Sequence, residues 1–230
     1  MSKSLAIGML LVLCILIAAA GCTGQQAGTK AVVTPAVTVA VASAGSMQAG
    51  FQALPQAPLN GSETADIIQL QEDQKAITDL NAVLAVQHPN VPVFQSIANA
   101  SKVYQNADNV ILTRYGIPNP EKSAAGVFSS QKLQQMYNTG VNTGSMSVKD
   151  ALLVSATAED MHIADLEAAI SRTDNTDVQF IYQQELAFSR NNLRALSQWI
   201  TAYGGVFTPT YISVDYYNSM MNTPVQQVLV

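Results

Sequence analysis

The chain has 230 residues, of which 12% are charged, and a formal net charge of -5. A weakly acidic chain with no run of Lys or Arg excludes nucleic acid, whose phosphates need clustered cations. It also excludes electrostatic attraction to lipid headgroups. Both cysteines, Cys14 and Cys22, fall within the first 22 residues. The remainder therefore has no disulfide, no thiolate metal ligand and no cysteine nucleophile.

The N-terminus reads as an export signal. Lys3 supplies a positive charge, Leu5 to Ala20 is an apolar run, and Ala19-Ala20-Gly21-Cys22 closes it with small residues. The cysteine after small residues resembles lipoprotein signals. That resemblance implies cleavage before Cys22, a lipid on Cys22 and a membrane partner reached through that lipid. An uncleaved anchor is the other reading, although the run of about 16 residues is shorter than the roughly 20 that span a bilayer. Both readings place the rest of the chain outside the cytoplasmic membrane. Residues 23–60 are rich in Ala, Gly, Val, Thr and Pro, with one charge at Lys30, and read as a flexible tether. Asn60-Gly61-Ser62 is an N-glycosylation sequon.

From residue 61 to about 217 the pattern is helical. The spacing predicts a first helix over 63–87 with Ser62 as N-cap. Its stripe is Ile67, Leu70, Asp73, Ile77, Leu80 and Leu84. A second spans 93–115, stopped by Gly116, with Phe94, Ile97, Ser101, Tyr104, Asp108, Ile111 and Tyr115 on one face. A short helix follows over 131–138, with Gly140 and Gly144 marking a break. A third opens at Ser147, with Asp150 completing a capping box, and presents Leu152, Ala156, Glu159, Ile163, Leu166 and Ile170. A fourth spans 177–203 and presents Val178, Tyr182, Glu185, Ser189, Asn192, Leu196 and Trp199. Residues 218–230 read as a frayed tail. His88, before Pro89, reads as solvent-facing. The fold class is an all-α, up-down four-helix bundle with one long crossover and a short extra helix.

Each stripe carries polar groups near its middle, and buried carboxylates are costly unless paired, protonated or bound to a cation. Several strings then point to a family. These are Lys75 with Asp79, Tyr115-Gly116 before Asn119-Pro120, Ile163-Ala164-Asp165-Leu166, Ser189-Arg190-Asn191 with Leu193-Arg194, and Thr208-Pro209 with Tyr211. Over about residues 64–217 the chain resembles a domain-of-unknown-function branch of the ferritin-like superfamily. That resemblance implies a two-metal site with a Glu on each of two helices and Glu-x-x-His on each of the others. The ligand positions depart from it. Asp73 stands for a Glu, and Ser101 and Tyr104 replace a Glu-His pair. Glu159 is kept, with His162 where the family usually has Asp. Asn192 replaces a His, and a family Glu falls on Gln183, leaving Glu185 as a separate inward carboxylate.

The expected function is a non-catalytic binding or spacer domain without a cofactor. The alternative is a single Fe, Mn or Zn ion held by Asp73, Glu159, His162 and Glu185, with redox or peroxide-related chemistry. A protein partner is not specified by any motif. Association of copies through a bundle face stays open, although no leftover apolar stripe demands it.

Overall fold

The computed structural model describes Pro35 and residues 45–229. The leader, Cys22 and residues 36–44 lie outside the described residues, and so do the expectations that fall on them. Among the described residues the helices are α1 (Gly45–Ala53), α2 (Gly61–Gln87), α3 (Pro92–Tyr115), α4 (Gln131–Gly144), α5 (Val148–Arg172), α6 (Thr176–Ala202) and α7 (Val214–Met221).

Local chemistry sets the helix ends. Asn60, not Ser62, caps α2. Its Oδ1 accepts the N–H groups of Ser62 and Glu63, each at 2.9 Å, and Glu63 returns a carboxylate oxygen to the Asn60 N–H at 2.8 Å. An Asn oxygen two residues further out reaches two orphan donors where the Ser62 hydroxyl would reach one. The second Glu63 oxygen accepts from Thr173 and Asn175, tying the start of α2 to the α5–α6 turn. Gly116 ends α3 at φ 65°, in the left-handed region that an L side chain resists. At α5, Ser147 accepts the Asp150 N–H, but Asp150 receives the Ser147 hydroxyl, so only half of the expected capping box forms.

The four long helices form a ring. α2 packs on α3, α3 on α6, α6 on α5 and α5 on α2. Glu63 meets Thr173 at one end, and His88 meets Gly144 at the other. Neighbours in the ring are therefore antiparallel, while α3 and α5 run the same way across the diagonal. That parallel pair is why the 116–147 connection must traverse the bundle's length. α4, inside this crossover, is longer than expected. Gly140 and Gly144 do not break it. They let its backbone approach α2, because a Cβ at Gly140 would sit 3.2 Å from Leu80 and one at Gly144 would strike Leu84. Glu72 receives the N–H groups of Ser129 and Ser130, and Lys75 reaches Asp79 and the Ala124 carbonyl.

Two expected loose segments are docked. Within the expected tether, α1 lies on α3 and α6 with Met47 and Phe51 buried. The Arg114 guanidinium donates to the Phe51 and Leu54 carbonyls at 2.9 and 2.6 Å and sits over the Phe51 ring. The expected frayed tail is also held. α7 covers 214–221, and Leu229 and Gln226 are bonded to the bundle with Val228 buried. Composition suggested mobility in both places. The anchors come from side chains distant in sequence, which composition does not reveal. His88 is half-buried rather than solvent-facing, its Nε2 lying 2.7 Å from the Gly144 carbonyl oxygen.

Candidate functional site: an acidic core inside the bundle

The polar residues of the four stripes come together between the helices. Asp73 from α2, Ser101, Tyr104 and Asp108 from α3, Glu159 and His162 from α5, and Glu185, Ser189 and Asn192 from α6 are all essentially inaccessible to solvent. The helices place them there because each, His162 apart, occupies an apolar-stripe position, and the flanking Ile, Leu and Trp bury the level they share.

Their partners divide the core. Asp73 accepts a hydrogen bond from Gln69 at 2.7 Å with one oxygen and leaves the other without a donor. Burial, reinforced by the nearby Asp165 carboxyl, pushes Asp73 up to about 8. Glu159 accepts from the Asn192 amide at 2.9 Å, and burial pushes it up to about 8. Burial also raises Asp108 and Glu185. The Asp108 carboxyl adds to the rise at Glu185, yet no hydrogen bond joins the two, and both Glu185 oxygens and one Asp108 oxygen are without a partner. His162 Nε2 is 3.9 Å from a Glu185 oxygen, yet burial drives the imidazole down to about 3, so the ring is neutral.

Of the residues expected at the site, Asp73, Glu159, His162 and Glu185 all point inward. His162, outside the stripe predicted for its helix, is fully buried. The whole run Ala158–Ile163 is buried because α2, α4 and α6 all pack on α5, which widens its buried arc beyond one stripe. Gln183 is exposed. It cannot stand for an inward Glu, and Glu185 takes that place. Tyr104 does not donate to Asp73 or Glu159. It stacks on Phe188 at 4.5 Å and donates to the Leu229 carbonyl at 2.8 Å. Asp108 was legible as a stripe member four residues after Tyr104, but no motif marked it as part of the site.

A two-metal centre of the kind the resemblance implies does not fit these donors. Such a centre uses four Glu and two His. α3 offers a Ser and a Tyr at its two ligand positions, and the Tyr hydroxyl is already engaged. Among the described residues no three His, Cys, Asp or Glu side chains converge so as to hold a metal ion. What the core does show is a set of unmatched polar atoms. They include both nitrogens of His162, one oxygen each of Asp73 and Glu159, and the hydroxyls of Ser101 and Ser189.

The family strings have structural work outside this core. Lys75 and Asp79 pin the crossover, Asp79 also accepting the Gly126 N–H. Arg190 joins Tyr216 and Glu167, and Arg194 holds the Met220 carbonyl. The loop after Thr208-Pro209 is gripped by Asp160, which receives the N–H groups of Thr210, Tyr211 and Ile212 at 2.6 to 3.0 Å.

The architecture is that of an all-α helical bundle with a polar interior. The family model of the uncharacterized protein domain DUF2202 matches residues 63–224, and the chain belongs to this family. It is 35% identical to the uncharacterized protein MJ0754 of Methanocaldococcus jannaschii, over 77% of this chain and 96% of the relative. The crystal structure of the hypothetical protein MJ0754 superposes with a TM-score of 0.73 at 34% identity, covering 75% of this chain and 99% of that one.

Proposed function

We propose that this protein is a lipoprotein of the outer face of the cytoplasmic membrane, anchored through Cys22, whose bundle is a non-catalytic binding or spacer domain derived from a ferritin-like metal protein. The observation that supports the non-catalytic reading best is the state of Tyr104. At a position where the resemblance implies a metal ligand, its ring is stacked on Phe188 and its hydroxyl is committed to the Leu229 carbonyl. Burial favours the protonated form of the neighbouring Glu159 and Glu185 carboxyls, and Glu159 accepts from the Asn192 amide.

A second reading, a single Fe, Mn or Zn ion near Glu159, His162 and Glu185, draws support from the unmatched atoms. A neutral imidazole with both nitrogens free is the form that ligates metal. It requires these side chains to turn toward a common point. Metal content of the protein after incubation with Fe(II), Mn(II) or Zn(II) decides between the two. No bound metal and an unchanged melting temperature are expected. About one ion per chain, lost in Glu159→Ala, would establish the second reading. Mass spectrometry of the mature N-terminus tests the anchor, and an intact Met1 would refute it.

A further inference from the structure

The seam between α3 and α6 is the most open of the four in the ring. It carries Tyr104 and Asp108 of the acidic core's surroundings on one side and Glu185 and Phe188 on the other. Two segments from outside the ring cover it. α1 lies over the stretch containing Ala107 and Ile181. The segment from Asn222 to Leu229 lies over the rest.

We infer that residues 222–229 form a strap that closes the α3–α6 seam over the acidic core, with Tyr104 as the post on which it latches. The hold is made almost wholly of side-chain bonds to strap backbone. Asn191 donates to the Gln226 carbonyl and accepts its N–H, each at 2.9 Å. Gln184 accepts the Leu229 N–H at 2.9 Å, and Tyr104 donates to the Leu229 carbonyl at 2.8 Å. Arg194 holds the strap's entrance through the Met220 carbonyl and the Thr223 hydroxyl. Only Val228 contributes a deeply buried apolar side chain within the strap. A segment held by a few hydrogen bonds and one apolar anchor opens at much lower cost than the helices beneath it.

Position makes the strap more than surface trim. Tyr104 touches the strap with its hydroxyl, and on its inner side the Glu185 carboxyl is close enough to act on the phenol. Lifting the strap uncovers Tyr104, the phenol that lies between the strap and Glu185. The Ser189-Arg190-Asn191 string and Arg194 thereby acquire a shared purpose. Ser189 faces the core, while Asn191 and Arg194 hold the strap. The inference stands whether or not the core takes an ion.

Carboxyl footprinting tests it. The full chain is treated with a water-soluble carbodiimide and glycine ethyl ester, and the modified sites are read by peptide mass spectrometry. Tyr104→Phe removes the latch and keeps the ring stacking; Val228→Asp ejects the apolar anchor and leaves Tyr104 intact. In the unaltered protein Glu167 labels while Glu185, Asp108 and Asp160 do not. In both variants Glu185 and Asp108 gain about tenfold or more in labelling rate, as expected when a local opening replaces a global one. Asp160, under the 210–212 loop, stays protected. Unchanged Glu185 labelling in both variants would overturn the inference. So would a parallel rise at Asp160, because the strap would then only stabilise the fold as a whole.

Discussion

His162 and Glu185 approach to 3.9 Å and do not form an ion pair. Burial strips the imidazole of its proton and leaves one on the carboxyl, so two groups that would attract each other at the surface meet here as neutral neighbours.

This inversion has a pH signature. Asp73 and Glu159, pushed to about 8, bind protons more tightly in the folded chain than in the unfolded one. Their contribution to stability is fully present below about pH 4, the ordinary carboxyl range, and is lost as pH rises toward 8. His162, held at about 3, acts oppositely, and its contribution is lost as pH falls from about 6.5 toward 3. Above pH 6.5 the histidine no longer titrates, so the carboxyls alone set the slope. The melting temperature should fall between pH 6.5 and 8, at up to about 1.4 kcal/mol per unit for each group, and level off above that. Asp73→Asn and Glu159→Gln should each flatten the slope. A melting temperature that is level over this range contradicts the protonated core.

The grip of Asp160 on the Thr210–Ile212 backbone is a second measurable feature. Replacing Asp160 by Ala removes three charge-assisted bonds and leaves N–H groups under the loop without acceptors. The cost should be about 3 kcal/mol or more. Asp160→Asn keeps one acceptor and should lose less. Chemical denaturation of the three proteins would order them.

At the start of α2, Asn60→Ala should cost about 1 kcal/mol, the usual worth of a capping side chain. The capping bonds use the amide oxygen. A glycan on the nitrogen is compatible with them, so occupancy of the sequon by sugar should leave the melting temperature near that of the bare protein. A loss as large as that of Asn60→Ala would show that glycan and cap compete.

If α3 lost its metal ligands during divergence, putting them back should be informative. Ser101→Glu combined with Tyr104→His should lower the melting temperature without metal, since a new carboxyl is buried and the stacking on Phe188 is lost. Added Fe(II) or Zn(II) should recover it. A variant destabilised equally with and without metal would mean that the core geometry, beyond the two side chains, has moved away from metal binding.

The helices were legible because stripe and cap chemistry are local. Leu70, Leu80, Ile97, Leu166 and Trp199 sit in the core as their spacing requires. Gly116 and Gly204 end their helices in the left-handed region. The inward carboxylates were legible for the same reason. What escaped is non-local. Asp108 lay in plain view on its stripe, but its closeness to Glu185 depends on how α3 and α6 face each other. His162 sat off its stripe by angle, and its burial comes from having helices on three sides of α5. The docking of α1 depends on Arg114, and that of the tail on Asn191 and Tyr104, residues whose outward bonds have no signature in the short segments they hold.

The crossover bears on how the molecule could be divided. α2–α3 and α5–α6 are two antiparallel hairpins, each closed by a short turn, and Lys122 to Ala125 between them is exposed. α4 belongs by packing to both hairpins. A nick between Lys122 and Ser123 should therefore leave two fragments whose complementary faces reassemble without a covalent link, as a noncovalent heterodimer built from one original chain.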